Sequence, residues 1–223
     1  FVNRASKLTG NFKISDLQNP VDSAKKRFKS FLVGTSADAQ GLVENPEQLN
    51  PLHNGASARK VTQMGAGGMS SEAARNANET RDLQITGITR LDPVETPESG
   101  KIGLASHLTQ TAEVKNGSIY TKYHKVNKGV AKTTETVELS PEDEFDKYVA
   151  FYDPRHVKRD GDSVIITTDK IPGRYKGALV DIDKDKVDYI DPSPADIFGD
   201  PATLIPFGNH NDGNRMLMGA SMQ

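Results

Sequence analysis

Two neighbouring stretches decide the reading of this chain: NPLHNGASARKVTQMGAGGM at residues 50–69 and RLDPVETPESGKIGL at residues 90–104. The first ends in Gly65, Gly67 and Gly68. Glycines so closely spaced remove the side chains that hold a regular helix or strand in place. In the second, Pro93 and Pro97 fix their own torsions and push the residues before them toward extended geometry. Glu95, Glu98 and Lys101 follow one another along that stiff path. A rigid, charged loop pair edged with glycine is suited to touching something other than its own core.

Composition sets the bounds. The chain has 223 residues, enough for one or two domains. Hydrophobic residues make up 35% with no Trp, and the mean hydropathy is −0.58. Ordinary domains carry about 45–50%, glycine included, so this chain is lean for one that stands alone. Faces that read as polar here are expected to meet neighbours. A net charge of −2 gives no global nucleic-acid signature, so any basic surface is local. With no Cys, disulfides and thiolate metal sites are excluded, and a reducing compartment fits. No apolar run reaches the length of a membrane span, and no basic-then-apolar signal opens the chain. Beginning at Phe1 and ending at Gln223 inside a helical pattern, it reads as an excerpt.

Working outward, residues 1–18 are polar and weakly patterned, a strand or loop. Asn19-Pro20 is expected to open a helix, with Val21, Ala24, Phe28, Phe31 and Leu32 at helical spacing and Gly34 stopping it. Residues 44–51 are turn-rich, and residues 59–61 suit a short strand. For residues 70–77 a short helix and a loop tip are both open. Beyond residue 105, β-branched and aromatic segments at 118–123, 148–152, 164–168, 178–182 and 187–190 alternate with turns, and this predicts a small antiparallel meander. Asp191-Pro192 and Pro194 end it. Residues 204–207 read as an apolar strand, and Asn211 or Asp212 as the cap of a helix running to the end. The class is therefore α+β: an irregular region of short helices and loops, then a β meander, then a strand–helix unit. The corresponding domains are residues 1–104, 105–195 and 196–223.

Chemistry is sparse on residue patterns alone. The glycine run lacks the Lys-Ser/Thr of a nucleoside-triphosphate loop and reads as a hinge. Arg59, Lys60 and Lys101 are able to form a local basic surface, although most such charges simply face water. Glu95 and Glu98 make a poor acid/base pair, because the prolines deny them a common helical face. His53, His107, His124, His156 and His210 show no ligand spacing, so no metal site is expected. The most suggestive polar cluster is Asn211-Asp212-Gly213-Asn214-Arg215, where helix N–H groups and an arginine are able to meet an anion. An ordinary capped helix with a solvent-facing Arg215 is the bland alternative.

The same stretches carry a family resemblance. NPVDSAKKRFKSFLVG (19–34), the block at 50–69, PVETPESGKIGLASHL (93–108), VDYIDPSP (187–194) and LIPFGNHNDGNRMLMGASMQ (204–223) resemble, in order, the β (second-largest) subunit of multisubunit DNA-dependent RNA polymerase. The match is strong over these blocks and weak over 105–185. It implies the fork region beside the active centre, an adjoining external region, and the start of the catalytic barrel. It implies that residues 65–78 form the fork loop near downstream DNA, with Ser71 and Arg75 beside the strand. Arg59, Lys60, Glu98 and Lys101 would line or face the RNA–DNA hybrid. Arg215 would reach the triphosphate of the incoming nucleotide, held in place by Asp212 and Asn214. The two-metal chemistry, with its Mg2+, belongs to the partner β′-type subunit. Other implied partners are the remaining β polypeptide, the DNA template and nucleoside triphosphates, with no membrane.

Departures matter as much. Positions that help form the rifampicin pocket in bacterial relatives align with Ser57, Thr62, Glu44 and Glu47, and the Asn of the PNIGL motif is Lys101, so rifampicin insensitivity is expected. The implied fork loop is two residues longer. Such drift points to a bacteriophage-encoded polymerase acting in the host cytoplasm or carried in the virion. The alternative is a non-catalytic β-like scaffold that binds nucleic acid or partner subunits.

Overall fold

The computed structural model describes residues 14–33, 43, 49–65, 68–98 and 100–222. These fall into two compact units. One contains 14–33, 43 and the described residues of 64–71; the other contains 49–63 and 72–222.

In the first unit, helix α1 spans Ile14–Val33. The expected start at Asn19-Pro20 is thus too late, and residues 14–18 are helical. Pro20 sits inside the helix, where its missing N–H forfeits one backbone bond. Ser15 and Asp16 suit the first turn, and Leu17 and Gln18 propagate it. The apolar spacing is present, yet Val21, Phe28 and Val33 remain exposed. The predicted stop at Gly34 and the turns at 44–48 lie outside the described residues. Gly68 donates to the Gly65 carbonyl at 3.0 Å, a turn flanked by a Met64–Met69 bridge.

The second unit opens with helix α2, Pro51–Ala58, whose first residue closes the turn-rich stretch and whose remainder the sequence pattern does not assign. Asn50 caps it by accepting the His53 N–H at 2.7 Å, and Pro51 occupies the first turn, where no donor is missed. Strand β1 (Lys60–Thr62) follows and pairs antiparallel with β2 (Ala105–His107), Lys60 opposite His107 and Thr62 opposite Ala105. This ladder ties the first quoted stretch to the second. Between them lie α3 (Ser71–Asn76) and two 3-10 turns, Glu79–Arg81 and Ile85–Gly87.

The β-rich part is larger than predicted and is not a simple meander. It contains β3 (Glu113–Lys115), β4 (Ser118–Asn127), β5 (Val130–Leu139), β6 (Val149–Ala150), β7 (Val157–Asp160), β8 (Ser163–Ile166), β9 (Lys170–Tyr175), β10 (Ala178–Asp183) and β11 (Tyr189–Ile190). The nine strands run β10-β9-β6-β11-β4-β5-β8-β7, with β3 also on β4. One pair, β11 with β6, is parallel. Three hairpins turn on two residues that both have positive φ: Asn116-Gly117, Lys128-Gly129 and Lys176-Gly177. Such turns match the right-handed strand twist, and the glycine takes the left-handed position without penalty. Val126, Ala131, Val164, Ile166, Ile171, Ile182 and Ile190 form the core. Helix α4 (Pro141–Phe145) is held by a reciprocal Ser140–Asp143 capping box.

The chain then passes through a 3-10 turn (Pro194–Ile197), helix α5 (Asp200–Thr203), a second 3-10 turn (Gly208–His210) and helix α6 (Gly213–Met222). The strand expected at 204–207 is a turn instead. Among the described residues it has no strand to pair with, Leu204 and Phe207 are exposed, and Phe207 has a left-handed φ of 54°. The α+β class holds, and the described sheets do not close into a barrel.

Candidate functional site

Asp212 is the cap of α6. Its Oδ1 accepts the Arg215 N–H at 2.9 Å, and its carbonyl accepts the Met216 N–H at 3.1 Å. Met216 and Ala220 turn inward and are buried, which anchors the helix. The opposite side presents Asn214 and Arg215 to solvent. Among the described residues, the Arg215 guanidinium meets the Met218 sulfur at 3.8 Å and no carboxylate. A charged group on a fixed helical turn, with its donors uncommitted to carboxylates, is arranged to meet an anion.

The loop at 90–104 is held by arginines that sequence reasoning gave no role. Arg81 donates to the carbonyls of Ala74 (2.7 Å), Gly100 (2.9 Å) and Ile102 (2.7 Å), so one side chain fixes both the end of α3 and the turn around Lys101. Gly103 passes so close that a Cβ there would lie 2.7 Å from the Arg81 carbonyl oxygen. Arg59 behaves similarly. Its Nη2 donates to the carbonyls of Thr109 and of Ala112, the latter at 3.0 Å. The expected hybrid-facing arginine is therefore spent largely on its own backbone, while Lys60 beside it is exposed. Arg75, Glu98 and Lys101 are exposed as well, and Ser71 begins α3.

Among the described residues Arg90 is the largest fully buried side chain. It donates to the carbonyls of Thr86, Ile119 and Leu139 and lies 2.6 Å from Glu144 Oε2. The other Glu144 oxygen meets Arg174, which also reaches Tyr123 (3.0 Å) and Asp191 (3.3 Å). Burial pushes the Asp191 carboxyl up to about 6 against the pull of Arg174, and pushes the Tyr123 hydroxyl to about 12. Two arginines and two carboxylates balance in charge. This knot joins the loop leading into residues 91–104 to the sheet.

Asp92 and Glu95 are also buried. Asp92 accepts from the N–H groups of Val94 (2.7 Å), Glu95 (3.2 Å) and, far along the chain, Gly199 (2.6 Å). Burial, then the Asp92 and Asp200 carboxylates, raises Glu95 to about 7, with His53 opposing. Burial lowers the neighbouring His107. Glu98, by contrast, is exposed.

A cleft of about 640 Å3 opens between these parts. Leu91, Val94, Thr96 and Ile102 form one side, and Asn214 and Leu217 of α6 reach it from another. Of the expected site residues, it is Asn214 that lines this cleft. Among the described residues no group of three or more His, Asp or Glu side chains is placed to hold a metal ion, and no helix is long and apolar enough to cross a membrane.

The arrangement has sequence relatives. Residues 45–114 match the family model described as RNA polymerase Rpb2, domain 3. The chain is 38% identical over 214 residues to the DNA-directed RNA polymerase subunit beta of Chlorobium luteolum, covering 96% of this chain and 16% of that one. It is 37% identical over 214 residues to the same subunit of Chlorobaculum tepidum, with 96% and 16% covered. For Geobacillus thermodenitrificans the figures are 34% over 205 residues, 92% and 16%. The chain thus spans about a sixth of the length of the curated relatives it matches. Similarity that runs through 92–96% of the chain, together with the domain-3 match over residues 45–114, places the chain in the DNA-directed RNA polymerase β-subunit family, as a portion of that subunit.

Proposed function

We propose that this chain forms part of the active centre of a DNA-dependent RNA polymerase, a nucleotidyltransferase, and helps hold the incoming nucleoside triphosphate. The observation that carries this reading is the Arg215 turn, where Asp212 fixes the backbone and leaves the guanidinium exposed. Negative charge develops on the leaving pyrophosphate, and a preorganised guanidinium stabilises it more than a mobile one would. Asp212 sets the turn, and Asn214 sits on the cleft side of it. Residues 65–78, with Ser71 and Arg75, act as the fork loop at the downstream edge of the bubble. Lys60, Glu98 and Lys101 face the RNA–DNA hybrid, and Arg59 shapes the backbone beneath them.

The partners in this reading are a β′-type subunit, the remaining β polypeptide, template DNA and nucleoside triphosphates. Mg2+ is held by the β′-type subunit, where it supplies the metal-assisted displacement. The departures at Ser57, Thr62 and Lys101 support a bacteriophage-encoded enzyme working in the host cytoplasm or carried in the virion.

The test is primed RNA extension by the native complex, wild type against Arg215→Ala, across nucleotide concentrations. Loss of a charged contact of about 1.5–3 kcal/mol lowers kcat/KM roughly 10- to 150-fold. An unchanged rate in an active complex would overturn the assignment and leave the scaffold reading.

A further inference from the structure

We propose that Asp92 and Glu95 form a proton-dependent clasp on Gly199, which ties the 92–95 turn to the segment leading through α5 to α6. The geometry is unequal. Asp92 satisfies both its oxygens with three backbone N–H groups, including that of Gly199. Glu95 is only 6% exposed, and its Oε2 has no hydrogen-bond partner among the described residues. Its Oε1 lies 3.7 Å from His107 Nδ1, and that nitrogen is already 3.0 Å from the backbone carbonyl of Glu95. Both carboxyl groups converge on one piece of backbone. A Cβ on Gly199 would lie 3.0 Å from Asp92 Oδ2, 3.1 Å from Glu95 Oε2 and 3.3 Å from the Leu108 carbonyl. A side chain there would press on its neighbours, and those neighbours are all acceptors.

An acceptor-rich, buried position favours a carboxylic acid that can donate over a carboxylate that cannot. The charged and titratable groups around it come from several elements: Asp92 in the same turn, His107 on β2, Lys60 on β1, His53 on α2 and Asp200 on α5. Burial and the two aspartates raise Glu95, and His53 only partly offsets them, so the proton leaves at about pH 7. Ionisation then sets a second negative charge beside Asp92 with no donor to receive it. Gly199 caps α5, and its carbonyl accepts the Thr203 N–H at 3.1 Å, so a loosened clasp releases the start of that helix. Because the folded pKa lies above the ordinary 4.5, the clasp is strongest at low pH and weakens as pH rises through 7.

Hydrogen exchange of the amides at 198–204, measured at pH 6 and pH 8 in the full-length polypeptide within its complex, tests this. Corrected for intrinsic chemistry, exchange should be about tenfold faster at pH 8. Glu95→Gln, neutral throughout, should abolish that difference. Asp200→Asn should move the midpoint to lower pH, because it removes one of the charges that raise Glu95. A wild type without the pH difference, a Glu95→Gln variant that keeps it, or an unmoved midpoint in Asp200→Asn would each overturn the clasp. Exchange is read without reference to RNA synthesis, so this outcome stands apart from that of Arg215→Ala.

Discussion

Arg90 Nη2 lies 2.6 Å from Glu144 Oε2, and both side chains are buried. The contact joins a loop with little apolar content to the sheet, and it explains how a chain of only 35% hydrophobic residues holds irregular segments in place. Where a richer sequence would pack leucines, this one donates guanidinium N–H groups to backbone carbonyls: Arg59 to 109–112, Arg81 to 74 and 100–102, Arg90 to 86, 119 and 139. Such bonds are directional, so they specify loop geometry as well as stabilise it.

Glu144→Gln should be severely destabilising. The carboxylate serves Arg90, Arg174 and the Tyr123 hydroxyl together, and its loss leaves two buried cations with a single buried partner, Asp191. Breaking a buried pair on one side costs about 3–5 kcal/mol. Thermal unfolding of the polypeptide containing this chain checks it against Glu142→Gln, an exposed change on the same short helix that should leave Tm nearly unmoved.

Acid should weaken the sheet at His124. Burial lowers this imidazole below its ordinary 6.5, Arg159 acts in the same direction, and a hydrogen bond to the Glu135 backbone offsets them only in part. A depressed histidine pKa means stability that is present above 6.5 and lost as pH falls toward the folded value, by at most about 1.4 kcal/mol per unit. His124→Gln should therefore show a smaller drop in Tm between pH 7.5 and 5.0 than wild type. An equal drop would place the acid lability elsewhere.

Much of this was legible in the sequence, for identifiable reasons. Proline and glycine placed the loops, β-branched runs placed β4, β8 and β10, and the Asn211/Asp212 pair marked the cap of α6, which the structure gives to Asp212. Strand β5 was not legible, because VAKTTETVEL is mostly exposed and its alternation survives only near its ends. Strand order was hidden as well: the parallel β6–β11 pair brings together segments 40 residues apart, and each is too short to show a period. The arginine staples carry no pattern at all. A guanidinium that bonds carbonyls looks, in sequence, like one that faces water. That is why the sequence alone does not separate Arg59, to which the resemblance gives a hybrid contact, from Arg81 and Arg90, to which it gives none.

Rifampicin should leave RNA extension intact. The Ser57 hydroxyl is turned to its own helix, donating to the Asn54 carbonyl at 2.9 Å, and the Thr62 hydroxyl lies 3.4 Å from the Leu104 carbonyl. The other two positions of the resemblance, Glu44 and Glu47, lie outside the described residues. Extension assays with the native complex at low micromolar drug decide the point, and inhibition there would sink it.

The adjacent cations Arg59 and Lys60 should separate cleanly by mutation. Lys60 projects from β1 into solvent, so as a phosphate contact it contributes through counterion release. Lys60→Ala should then reduce the salt slope of nucleic-acid binding by about one, evenly across sequences. Arg59→Lys keeps the charge but loses the planar fork that spans the carbonyls of Thr109 and Ala112. It should leave the salt slope alone and instead speed hydrogen exchange in residues 109–113. If Arg59→Lys preserved that protection while Arg59→Ala reduced the slope, Arg59 would be a phosphate ligand after all, and the carbonyl bonds would be secondary to its charge.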